Sequence, residues 1–108
     1  MRDLFGRRIE FKPIEDFDED EIWETADGKR IPIPYLSDRH LKNAIRRTEE
    51  LLSDALDMYD FASETDRAWI MGKVEELEDI LSVLNDEVER RRKEKVIVRE
   101  IGNPYYED

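Results

Sequence analysis

Chemistry in this chain could reside in its carboxylates and its one histidine, so their spacing is the starting point. Asp16, Asp18 and Asp20 alternate as ligands do in the first half of a calcium loop. Continuing that register puts Glu21 where the loop needs glycine and Asp27 where it needs a bidentate Glu. A solvated acidic loop is therefore the expectation. His40 lies beside Ser37 and Asp38, which superficially completes a Ser, His and Asp set. All three fall within one helical turn, so the imidazole cannot sit between the other two as a relay requires. A helix N-terminus also disfavours the imidazolium. Packing or capping is the expected role.

A second carboxylate group, Glu75, Glu76, Glu78 and Asp79, sits on the helix after Glu49 and Glu50. It resembles the clusters with which all-α nucleotide pyrophosphohydrolases hold magnesium through Glu side chains three and four apart. Glu76 and Asp79 share a face, but they flank an apolar stripe and point toward solvent. This enzyme reading ranks last, and no catalytic, cofactor or metal residue is assigned. The run Glu15, Asp16, Asp18, Glu19, Asp20 and Glu21 is instead a candidate partner-binding surface, capable of imitating a phosphate backbone if its carboxylates are suitably spaced.

Composition narrows the classes further. Charged residues make up 44% against about a quarter in an average domain, and the 39% that are hydrophobic must be tightly patterned for the chain to fold. With 29 acidic and 18 basic side chains the net charge is −11. That field repels nucleic acid and anionic membranes and favours a protein partner with a basic surface. Without cysteine there is neither disulfide nor thiolate chemistry. No window holds the roughly 20 apolar residues of a membrane span, and the first residues lack a signal's apolar stretch, so a cytoplasmic location is expected.

The elements that must position these residues can be read from hydrophobic period. The 108 residues fit a single domain with three parts: an acidic β-hairpin segment (1–36), a helical hairpin (37–95), and a C-terminal strand and tail (96–108). Ile9-Glu10-Phe11-Lys12 alternates as a short half-buried strand does. Asp27-Gly28 between Glu21–Thr25 and Lys29–Ile33 signals a β-hairpin, with Pro32 confining the second arm to an edge. From Ser37 or Asp38, either a good N-cap, the stripe Leu41, Ile45, Thr48, Leu52, Ala55, Tyr59 and Ala62 steps by four and three. It resumes as Ile70, Val74, Leu77, Leu81, Leu84 and Val88 after cap candidates Ser63 and Thr65. So short a connector folds the helices back on each other, and the seven-residue repeat predicts coiled-coil-like packing.

Arg90-Arg91-Arg92-Lys93 reads as cations opposing the helix dipole. Val96-Ile97-Val98 reads as a strand, and Gly102-Asn103-Pro104 as a turn. Met58, Tyr59, Phe61, Trp69 and Met71 cluster where the helices meet, either as core capping the helix pair or as an exposed interface patch; core is preferred. Two helices bury only one seam, so the remaining apolar residues need the N-terminal segment or a second copy, and a homodimer is as well supported as a monomer.

Trp23-Glu24-Thr25-Ala26-Asp27-Gly28-Lys29-Arg30-Ile31-Pro32-Ile33, followed by Leu36-Ser37-Asp38-Arg39-His40-Leu41-Lys42-Asn43-Ala44-Ile45, resembles a segment of small phage and prophage proteins. It covers about a fifth of the chain and implies a phage origin; it carries no activity with it. Most of its residues have structural work to do. His40 and Asn43, three apart and so on one helix face, remain as candidates for a ligand or partner contact. The leading expectation is a non-enzymatic phage-type accessory protein that binds and modulates a host protein or defence complex. The alternative is a helical-bundle assembly protein that acts by homo-oligomerisation.

Overall fold

The computed structural model describes residues 10–106. Helix α1 runs Asp38–Tyr59 and helix α2 Glu64–Glu94, packed against each other along much of their length. A two-stranded antiparallel hairpin, β1 (Ile22–Glu24) and β2 (Arg30–Pro32), precedes them. The fold is mainly helical, with the N-terminal hairpin where the Asp-Gly signal places it. Trp23 pairs with Ile31 in register, and Gly28 turns the chain at φ 89°, which a β-carbon would oppose.

Both helix starts follow from side-chain caps. Ser37 Oγ accepts the His40 N–H at 3.1 Å, and Ser63 Oγ accepts the Asp66 N–H at 3.3 Å, each satisfying one orphan donor of a first turn. The predicted stripes become the seam: Leu41, Thr48, Ile70, Val74 and Leu84 are buried, and the other stripe residues are half-buried. Thr48 belongs there because its hydroxyl donates back to the Ala44 carbonyl at 2.8 Å.

Every non-helical element gathers at one end, where α1 begins and α2 ends. Ile31, Ile33, Tyr35 and Leu36 form one core with Leu41, Ala44 and Leu84. The carbonyls of Ile33 and Pro34 are bound by Arg91, which is only 5% exposed. Its Nε donates to buried Glu87 at 2.7 Å and its Nη1 to Asp38 at 2.8 Å. Arg90 also forks onto Glu87, at 2.9 and 2.7 Å. The Arg90–Lys93 run is thus divided: Arg92 is an exposed cation, as expected for a helix end, whereas Arg91 is a core residue.

Three expectations are corrected. Val96-Ile97-Val98 is extended but pairs with no strand; the Val98 carbonyl instead accepts the Asp38 N–H at 2.9 Å, serving the start of α1. Of the strand expected at residues 9–12, Ile9 lies outside the described residues and the rest is not strand. There the Lys12 N–H donates to the Tyr35 hydroxyl at 2.9 Å, and that hydroxyl donates to the Glu10 carbonyl at 2.6 Å. The aromatic cluster between the helices is not core. Phe61 is 93% exposed and Trp69 62%, with Met58 and Met71 also exposed. The lid of β-hairpin and tail lies at the opposite end and does not reach them.

Removing Arg91 therefore tests what holds the lid. Arg91→Ala removes the donor to the Pro34 carbonyl and Asp38 and leaves buried Glu87 with Arg90 alone, and is expected to cost about 2–4 kcal/mol, a large part of the stability of a small domain. Arg91→Lys recovers only part of this, because an ammonium cannot reproduce the fork. Arg92→Ala stays within about 0.5 kcal/mol. Urea denaturation followed by circular dichroism distinguishes the three.

Candidate functional site

His40 has a defined partner. Its Nδ1 lies 2.7 Å from the Tyr106 hydroxyl, and that hydroxyl accepts the Ser37 N–H at 3.0 Å. The hydroxyl accepts from Ser37 and keeps its own proton free to donate to Nδ1 in the tautomer that carries the ring proton on Nε2. Ser37 Oγ in turn donates to Glu100 at 3.2 Å, and Arg39 pairs with Glu100 at 3.0 Å. Ser37 and His40 are brought together as a cap and a latch for the C-terminal tail.

The latch has a second half that sequence spacing could not show. Asn103 is fully buried, donating to the Tyr35 carbonyl at 2.8 Å and the Arg99 carbonyl at 3.3 Å, and accepting the Tyr105 N–H at 3.1 Å. Tyr105 stacks on Tyr35 with ring centroids 5.6 Å apart, and Phe11 and Phe17 close the cluster at 5.0 and 5.6 Å from Tyr35. The Tyr105 hydroxyl donates to the Lys12 carbonyl. An apparent turn residue and an aromatic-acidic tail thus stitch the two termini to the lid. Their only sequence signal is two tyrosines and an asparagine in an otherwise polar stretch.

The other candidates are spread apart. Asn43 is exposed, one turn along α1 from His40. Glu15, Asp16, Asp18, Glu19, Asp20 and Glu21 all face solvent, shaped by 3-10 turns at Ile14–Asp16 and Glu19–Glu21. Ile14 and Phe17 turn inward between them, and Glu19 pairs with Arg30. Asp27 sits at the hairpin turn, where the Thr25 hydroxyl holds its carboxyl below the usual range. Among the described residues no three His, Asp or Glu side chains converge as metal ligands would. Glu76 is exposed and paired with Lys73 at 3.2 Å, and Asp79 is exposed.

A concave feature lies at the far end. Asp57, Met58, Phe61, Ala62, Asp66, Trp69 and Ile70 line an open cup of about 600 Å³ where α1 turns into α2. Its wall is apolar and its rim acidic. Among the described residues no helix is long and apolar enough to cross a membrane.

Burial holds the His40 imidazole below its ordinary value of 6.5, aided by Arg39 and opposed by Glu100 and Asp27. The unfolded chain therefore binds more protons than the folded one just below that value, and stability falls as pH drops through it. The denaturation midpoint is expected to be lower at about pH 5.5 than at about pH 7.5, and His40→Gln should flatten that step. Tyr106→Phe removes the acceptor of the Ser37 N–H and is expected to cost about 1–3 kcal/mol. Paired urea titrations at the two pH values check both.

No family model matches the sequence, and no curated protein and no solved structure matches it.

Proposed function

We propose that this chain is a non-enzymatic, phage-type accessory protein that acts in the cytoplasm of a host cell. It binds a protein with a basic surface, such as a host enzyme or defence complex, and modulates it. The observation that carries this reading is the disposition of the acidic run. Six carboxylates between Glu15 and Glu21 project from two short turns anchored by Ile14 and Phe17, so they form a shaped surface on a scaffold. A preorganised acidic surface on a chain of net charge −11 steers toward basic partners and suits imitation of a phosphate backbone. The side chains that might have supported catalysis have structural roles: Ser37 caps α1, and His40 latches the tail.

Self-association is the second reading, and one observation favours it. Leu51, Met58, Trp69 and Ile80 are all exposed although they flank the buried seam. A second copy covering them would form a four-helix bundle.

Capture from host lysate tests the first reading. A partner should be retained at about 0.1 M salt, released by about 0.5 M, and lost on replacing Glu15, Asp16 and Asp20 by Gln or Asn. Recovery of nothing sinks it, as does a partner indifferent to those changes. Light scattering that shows a tight, large homo-oligomer would favour assembly instead.

A further inference from the structure

The lid covers half of one helical face and stops. On α1, Ala44, Leu51 and Met58 recur every seven residues and so share a side. Ala44 is buried beneath the lid with Ile33 and Leu36, whereas Leu51 and Met58 are exposed. On α2, Glu87 and Ile80 are likewise seven apart; Glu87 is buried at the lid end and Ile80 exposed beyond it. Trp69 lies three turns before Ile80 on the same side. The helix faces that the lid covers at one end therefore run on, exposed at Leu51, Met58, Ile80 and Trp69, toward the open cup at the tip.

Charge at that end is mainly acidic, and its two nearest cations are held locally, Lys73 lying 5.7 Å over the Trp69 ring. Between Arg47 and Arg67 there is no lysine or arginine, while Asp54, Asp57, Asp60, Glu64 and Asp66 are all exposed. Arg67 is engaged locally, lying 5.1 Å over the Tyr59 ring and donating to its carbonyl at 3.2 Å. A second copy would bring this acidic rim against its own like, which is costly at an interface. A partner with cations flanking an apolar stripe would satisfy both features.

We propose that the hairpin tip, from Leu51 to Trp69, is a docking groove for a basic amphipathic helix of the partner protein. Met58, Phe61 and Trp69 receive its apolar anchors, and the surrounding aspartates pair with its lysines and arginines. Leu51 to Tyr59, where α1 ends, spans about two and a half helical turns, which sets the length of the recognised segment. Methionine adapts to varied side chains, and an exposed tryptophan is the residue type that anchors interfaces. This inference rests on the protein-binding reading and adds the place and the chemistry of the partner. It assigns the anchor to the tip and leaves the Glu15–Glu21 surface to steering.

The test uses the full chain and a synthetic 14-residue Leu/Lys helix with leucines at helical spacing. Two controls accompany it: the same composition reordered to alternate, and a Leu/Glu helix. The Leu/Lys helix should bind at least about tenfold more tightly than either control, with amide shifts confined to residues 51–71. Trp69→Ala and, separately, Phe61→Ser should each weaken it about tenfold or more without moving the melting temperature, because both side chains are exposed. Asp57→Asn with Asp66→Asn should weaken it chiefly at low salt.

Equal binding by the alternating peptide means bulk charge attraction and overturns the proposal, as does equal binding by the Leu/Glu helix. Shifts centred on 15–21 place the site elsewhere and overturn it too. A dimer that Trp69→Ala dissociates, and that excludes the peptide, makes the occupant a second copy. A lysate partner retained by Trp69→Ala defeats the tip assignment while leaving the protein-binding reading intact.

Discussion

The fold turns on a guanidinium placed where a hydrophobic side chain might have been expected. Arg91, near the end of α2, reaches the start of α1 through Asp38, the lid through two backbone carbonyls, and its own helix through Glu87. A buried ion pair is weak evidence for stability in itself, because desolvation offsets most of the attraction. Its value here is geometric. The turn Ile33–Tyr35 directs the Ile33 and Pro34 carbonyls inward, only the first of them also met by the Leu36 N–H, and a rigid multi-donor fork serves both and two carboxylates at once. Among the described residues, no buried side-chain nitrogen or oxygen is left without a partner.

From that constraint follows the asymmetry of the molecule. The lid can be held only where α1 begins and α2 ends, since its donors and acceptors are there: Arg91, Ser37, Asp38 and the tail residue Asn103. Apart from the connector between the helices, the irregular chain among the described residues is drawn to that end, and the helices continue past it with no cover. The result is an elongated body, about 60 Å by 28 Å by 20 Å, polar and cross-linked at one end and apolar at the other.

Periodicity made the helices legible, because burial along a helix depends on local spacing alone. Leu41 to Ala62 and Ile70 to Val88 fall on the seam as the spacing requires, and Ser37 and Ser63 cap where short polar residues precede an apolar run. The hairpin about Gly28 was equally local. What spacing could not reveal depends on contacts across the chain. His40 meets Tyr106 across 66 positions, and Asn103 meets Tyr35 across 68. The β-branched triplet ending at Val98 has strand propensity, but both strands of the hairpin are elsewhere, and its carbonyl is used by a helix N-terminus instead. The hydrophobic residues at the tip misled for a related reason. Size and apolarity indicate that a side chain gains from burial, and they do not say whether the same chain supplies the cover.

That last distinction bears on function. A stable monomer could have dispensed with tryptophan and phenylalanine at an exposed turn, where alanine or lysine would support the helices equally well and raise solubility. Phe61 is almost wholly exposed and Trp69 mostly so, with Lys73 over its ring, so burial within this chain accounts for little of either. The acidic rim is only partly explained by the fold: Glu64 and Asp66 complement the dipole in the first turn of α2, whereas Asp54 and Asp57 lie near the C-terminal end of α1, where a carboxylate opposes it. Two features that the fold explains only in part, one apolar and one acidic, coincide on the surface that the lid leaves open. By contrast, His40 looks chemically suggestive in sequence and is explained by packing. Residues left over after stability is accounted for are the better guide to binding, and here they concentrate at the tip.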